Sequence, residues 1–235
     1  MQLHYIICQE LSQCSRMASC ECKTRCKPRC GDERRGAVPK RVDHQARRLA
    51  IAEAIFAVIG SRGLEAVSLR DVAAQAGVSM GAVQHYFDSK EEMLLFALGH
   101  MRDRALARMH AELAAIGEPT ARETTKAAAR AMLPIGEQGR QEAIVAGAFY
   151  SVATVHPAYA GPLREGYQRL LAVSRQSLAA AAQAGELPAS VDTEREAAML
   201  FFLIQGLVGP VLIGILSPAE ALELLDHQLD RIFAA

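Results

Sequence analysis

The sequence predicts an all-α fold of about nine helices, and three observations carry that expectation. From Asp43 onward, apolar residues recur at spacings of three and four, the mark of a helix with one buried face. Serines at 68, 79 and 89 stand just ahead of such runs, and Gly or Pro stands just after most of them, where caps and breakers belong. No stretch alternates apolar and polar residues over a useful strand length. The 235 residues are 51% apolar and 22% charged, enough to bury a core in one large domain or two small ones.

The elements follow in order. Leu49, Ala52, Ile55, Phe56 and Ile59 form one apolar face that stops at Gly60 and Gly63. Ser68 opens "SLRDVAAQA", with Asp71 in a capping-box-like place, and Gly77 ends it. Ser79 caps the next helix and Phe87 closes it. Ser89 caps a third, with Glu91 and Glu92 in the first turn, where the helix dipole favours negative charge. That helix runs to Gly117 and Pro119. Beyond it, "ARETTKAAARAML" stops at Pro134, and "GRQEAIVAGAFYSVATV" stops before Pro157. "GPLREGYQRLLAVSRQSLAAAAQAG" ends at Gly185. "DTEREAAMLFFLIQGLVGPVLIGIL" and "SPAEALELLDHQLDRIFAA" complete the set.

Charge and cysteines narrow the function. Net charge is zero, and no block is basic enough to announce a nucleic-acid partner by charge alone, so placement must decide. Cys8, Cys14, Cys20, Cys22, Cys26 and Cys30 all lie in the first thirty residues. Their spacing matches no paired zinc pattern, and Pro28 argues against a helix that would align the last three. Residues 1–37 therefore read as a disordered leader, with Val38 as an alternative start of translation. A metal or redox sensor is the lesser reading. "LHYIIC" is too short for the core of a signal peptide. No cofactor and no metal are expected, and no nucleophile–base–acid set or phosphate-binding glycine loop points to an enzyme.

Residues 77–93, "GVSMGAVQHYFDSKEEM", crowd two helix starts around a helix of barely two turns, too short to be stable alone. At 100° per residue, Met80, Gly81, Gln84 and His85 fall within an arc of roughly 0–140°, and Ala82, Val83, Tyr86 and Phe87 within roughly 200–340°. The second face docks the helix. The first carries no Lys or Glu and is suited to hydrogen bonding and close approach. A helix, a tight turn at Gly77 and a second helix with such a face describe a helix-turn-helix.

"GLEAVSLRDVAAQAGVSMGAVQHYFDSKEEMLLFAL" (63–98) resembles the DNA-binding domain of the TetR family of bacterial transcriptional regulators, and "VSMGAVQHYF" resembles its BetI-like branch. The likeness runs from about Val42 to Ala97. It implies an N-terminal three-helix DNA-binding domain (38–98) and a C-terminal helical domain (99–235) that binds an effector and dimerises.

On this reading Gln84 bonds an adenine edge, His85 donates to a guanine or a phosphate, and Met80 touches a thymine methyl. Gly81 lets the backbone come close. By resemblance Tyr86 reaches a phosphate, while also serving as a core aromatic. Ser68, Arg70, Ser79 and Lys90 are phosphate candidates at or near helix starts, where serines also cap. Lys40, Arg41, Arg47 and Arg48 form the one dense basic cluster of the folded body, an arm ahead of the first helix.

Residues 197–216, "AAMLFFLIQGLVGPVLIGIL", are long enough to span a membrane. Gln205, Gly206, Gly209, Pro210 and Gly214 interrupt them, and the flanks lack aromatic belts and positive clusters. A buried helix whose outer side meets a partner subunit fits better. Leu203, Gly206, Leu207 and Pro210, with Leu222, Leu225, Leu229 and Ile232 of the last helix, are expected to form a four-helix dimer interface. Phe149, Tyr150, His156, Tyr159 and Tyr167 are candidates for the effector pocket, with plain core packing an equal reading. The expectation is a cytoplasmic homodimer that represses from a palindromic DNA operator and is released by a small molecule. A membrane-tethered or metal- and redox-sensing regulator is the alternative.

Overall fold

The computed structural model describes residues 44–233, and these form nine helices and no strand. They are α1 (His44–Arg62), α2 (Leu69–Ala76), α3 (Met80–Tyr86), α4 (Lys90–Ile116), α5 (Ala121–Ala131), α6 (Gly136–Ala153), α7 (Pro157–Gln183), α8 (Thr193–Leu212) and α9 (Pro218–Phe233). The cysteine segment, Lys40 and Arg41 lie outside the described residues.

Capping sets these boundaries. Ser68 accepts the Asp71 N–H at 3.1 Å, Ser79 the Ala82 N–H at 3.1 Å and Ser89 the Glu92 N–H at 3.0 Å. Each satisfies a donor that the first helical turn leaves free. Thr120 and Glu123 close a reciprocal capping box on α5. Gly77 adopts φ +66°, and the Gly77 and Val78 N–H groups bond back to Ala74 and Ala73. This left-handed residue turns the chain from α2 into α3 within three positions, which an L side chain would strain.

Two boundaries differ most from expectation. α7 begins at Pro157, not near Gly161, and continues through Pro162. Proline at the first helical position forfeits only an N–H that has no partner within the helix. The uncharged run does not form one helix: α8 stops at Leu212, and Gly214 at φ +77° turns the chain toward α9. α8 itself remains long and apolar enough to cross a membrane by length and composition. Its Ala197, Leu200, Phe201, Ile204, Leu207 and Val211 are nevertheless buried, which places one side of it in the protein core.

Two main clusters hold the helices together. In one, Ile51, Ile55 and Phe56 of α1 meet Val72, Val83, Phe87, Met93 and Leu94, and α6 inserts Val145 and Phe149 into the same cluster. In the other, Leu133, Leu178, Leu200, Ile204, Leu207, Leu225, Leu229 and Ile232 join α5, α7, α8 and α9. α6 therefore packs directly on α1.

Candidate nucleic-acid interface

α3 is held by what its inner side buries. Val83 and Phe87 are 0% and 1% exposed, against α1, α2 and α4. Met80, Gly81, Gln84 and His85 stand exposed on its outer side, as the helical wheel places them. Gly81 has no close neighbour within the fold: an added Cβ would come no nearer than 4.0 Å to Ser79 Oγ. Tyr86 is half-buried at the edge and packs on the core below.

His44, at the start of α1, joins this surface. Its ring lies 5.4 Å from Tyr86 and 5.8 Å from His85, and the His85 and Tyr86 rings are 5.2 Å apart. Nothing in the one-dimensional spacing pairs His44 with His85, because α1 reaches α3 only through the three-helix fold.

The phosphate candidates divide. Arg70, Ser79 and Lys90 are exposed. Ser68 is half-buried, and its hydroxyl bonds the Asp71 carboxylate while accepting the Asp71 N–H. Its side chain thus serves as the cap expected of it beside its role as a phosphate candidate. The Ser68 hydroxyl, and then the Arg62 guanidinium at 2.9 Å, hold the Asp71 carboxyl below its ordinary pKa. Arg48 departs from the basic-arm expectation. Its guanidinium lies over Phe87 and Phe96, 4.9 and 4.4 Å from the ring centres, and 3.6 Å from Glu92.

Residues 51–96, which contain this helix-turn-helix, match the bacterial regulatory proteins of the tetR family, and residues 121–234 match the BetI-type transcriptional repressor C-terminal domain. The transcriptional regulator PksA of Bacillus subtilis is 31% identical over 170 residues, 72% of this chain and 80% of PksA. The chain belongs to the TetR family of bacterial transcriptional regulators. Among solved structures, a TetR-family regulator from Rhodococcus sp. superposes with a TM-score of 0.72 at 24% identity, covering 81% of this chain and all of that one. A regulator from Saccharomonospora viridis solved in complex with choline gives 0.70 at 25%, covering 79% and 96%.

In this TetR-family regulator the five aromatic candidates do not converge on one cavity. Phe149 is fully buried and meets Tyr159 edge-on at 5.9 Å, and both belong to the core beneath the helix-turn-helix. Tyr150 and Tyr167 instead start a run of rings across α6, α7 and α8. Tyr150 lies 6.3 Å from Tyr167, Tyr167 5.8 Å from Phe201, and Phe201 5.4 Å from Phe202. Burial, with Tyr150 adding to it, pushes the Tyr167 hydroxyl above its ordinary pKa. That hydroxyl lies 3.4 Å from Gln205. His156 precedes α7 and is exposed. The sequence neighbours Phe149 and Tyr150 are parted because Phe149 points into the core while Tyr150 is 57% exposed.

The TetR-family chain also redistributes the expected interface residues. Leu207, Leu225 and Leu229 are 5%, 0% and 0% exposed in the protomer's own core, so they are not surface residues. Leu203, Pro210 and Leu222 are half-buried, and Gly206 is exposed. The outer side of α8 presents Met199, Phe202, Gly206, Gly209 and, just past its end, Ile213. Phe202 is 63% and Ile213 75% exposed. An added Cβ at Gly206 or Gly209 meets nothing in the chain within 4 Å.

Proposed function

We propose that this protein is a ligand-responsive transcriptional repressor that binds a palindromic operator as a homodimer in the cytoplasm, acting as a DNA-binding switch and not as an enzyme. One observation carries the reading: α3 exposes Met80, Gly81, Gln84 and His85 together, while Val83 and Phe87 lock its other side. An exposed helical face without charge is poorly suited to plain solvation and well suited to base edges. Gln84 bonds an adenine, His85 a guanine or a phosphate, Met80 a thymine methyl, and Gly81 admits the backbone. Arg70, Lys90, Tyr86 and the helix N-termini at Ser79 and Ser68 hold phosphates. Lys40 and Arg41 extend this contact ahead of α1.

The reading head takes residues 38–98 and the effector and dimer region 99–235. A stripe of Met199, Phe202, Ile213 and, on α9, Leu224 leaves apolar surface that soluble monomers seldom expose. A second copy related by two-fold symmetry covers it and sets the two α3 helices on successive major grooves. An effector that favours another spacing of the heads disfavours the DNA-bound state. The choline complex of the Saccharomonospora relative makes a quaternary ammonium the first effector to try, and the Tyr150–Tyr167–Phe201 rings suit such a cation.

The test is selection of random duplexes with the purified full chain, followed by titration of the selected duplex with choline. Recovery of an inverted repeat that choline releases supports the reading. Failure to enrich any sequence counts against it.

A further inference from the structure

We propose that Arg48 is a positioning residue for sequence reading: it fixes the exit of α3 from inside the fold and does not contact DNA. The proposal rests on the reading of α3 as the helix that enters the groove. Several contacts meet at this side chain. Its guanidinium lies 4.9 Å from the Phe87 ring centre and 4.4 Å from that of Phe96, and those rings are 5.4 Å apart. A planar cation fits against two ring faces at once, which a lysine ammonium cannot reproduce. Nε is buried without a hydrogen-bond partner. Nη2 lies 3.6 Å from Glu92 Oε1.

What these partners do gives the arrangement its consequence. Phe87 caps the C-terminus of α3, and its N–H bonds Val83 at 3.1 Å. The other Glu92 oxygen accepts the Asp88 N–H at 2.8 Å. Both residues that follow α3 are thereby tied to Arg48, one directly and one through Glu92. With its guanidinium against two rings and Nη2 near a carboxylate, half-buried Arg48 is ill placed for a phosphate, unlike exposed Arg47 beside it. A small shift of α3 spoils bidentate base contacts, which need geometry, more than phosphate attraction, which needs only charge.

The experiment uses the full chain, the duplex it selects from random sequence, and a scrambled duplex of the same length. Arg48→Lys is expected to bind the selected duplex about tenfold or more weaker, the size of one lost base contact, with scrambled binding unchanged. Arg48→Met is expected to keep the wild-type salt slope. Phe96→Leu, which leaves Arg48 in place and removes one ring, is expected to show the same selective loss, and it decides the matter if the Arg48 variants do not fold. Near-wild-type binding of both duplexes by Arg48→Lys, or a salt slope lower by about 0.9 in Arg48→Met, overturns the proposal in favour of a phosphate contact. Gln84→Ala is the reference. If it loses discrimination and the Arg48 and Phe96 variants do not, positioning by Arg48 alone is wrong. If none of them does, the reading of α3 falls, and this proposal with it.

Discussion

Arg104 on α4 bonds the buried carboxylate of Glu142 on α6, with Nε 3.0 Å from Oε1. The same guanidinium places Nη1 2.6 Å from Glu53 on α1, and Arg108 takes the other Glu142 oxygen at 2.5 Å. His100 adds a 2.8 Å contact to Glu53. Charge therefore joins the first helix of the reading head to the helices behind it, alongside the apolar insertion of Val145 and Phe149. Glu142 is 5% exposed, so Glu142→Ala removes the carboxylate that two part-buried guanidiniums share, leaving Arg104 with Glu53 and Arg108 with the Ala131 carbonyl. Removing one partner of a buried pair costs about 3–5 kcal/mol, and the remaining partners and partial exposure of Arg104 and Arg108 set the expectation at or below the lower end. Urea unfolding checks it; a change below about 0.5 kcal/mol, the size of an ordinary surface substitution, would show that the cluster does not support the fold.

Gly77→Ala tests the turn between α2 and α3. Its φ of +66° disfavours a side chain, while an added Cβ meets nothing within 4 Å. The loss is then backbone strain alone, about 1–2 kcal/mol, read as a lowered melting temperature.

Asp71 makes a pH prediction. The Ser68 hydroxyl first, and Arg62 next, lower its folded pKa. A lowered carboxyl pKa contributes stability above the unfolded value of about 3.9, and loses it as pH falls through the folded pKa. Asp71→Asn should therefore melt below the wild type at neutral pH, and the gap should close as pH falls below about 4. A gap that persists unchanged at pH 2 would assign the effect to something other than the charge.

How much of this was legible in one dimension varied with the kind of interaction. Helix caps are local, and Ser68, Ser79, Ser89 and Gly77 announced the helix-turn-helix through residues three positions apart. The exposed face of α3 followed from its period. Long-range packing was not legible. Arg48 resembled its basic neighbours until Phe96, on another helix, came beneath it. The run at 197–216 disclosed an apolar helix but not which side faced inward. Every residue there but Gln205 is apolar or small, so no charge marks the outer face. Leu207, expected at the interface, consequently lies in the protomer's own core, and the exposed side chain is that of Phe202.

This inward and outward placement is itself testable. Phe202→Arg alters an exposed ring and should leave the protomer folded while shifting sedimentation toward the monomer at micromolar concentration. Leu207→Arg buries an unpaired charge in the protomer core and should unfold it, at a loss of several kcal/mol. If Phe202→Arg sediments as the wild type does, the dimer contact lies elsewhere.

Base reading by α3 is tested most directly by sequencing the duplexes that the full chain and its Gln84→Ala variant each select from a random pool. The expected result is an inverted repeat whose half-sites are centred about 10 base pairs, or a multiple of that, apart. Gln84→Ala should weaken binding to it by about 1–3 kcal/mol and relax the preference at one position in each half. Identical preferences for both proteins, or no enriched sequence for either, would contradict a reading role for Gln84 and for the face it occupies.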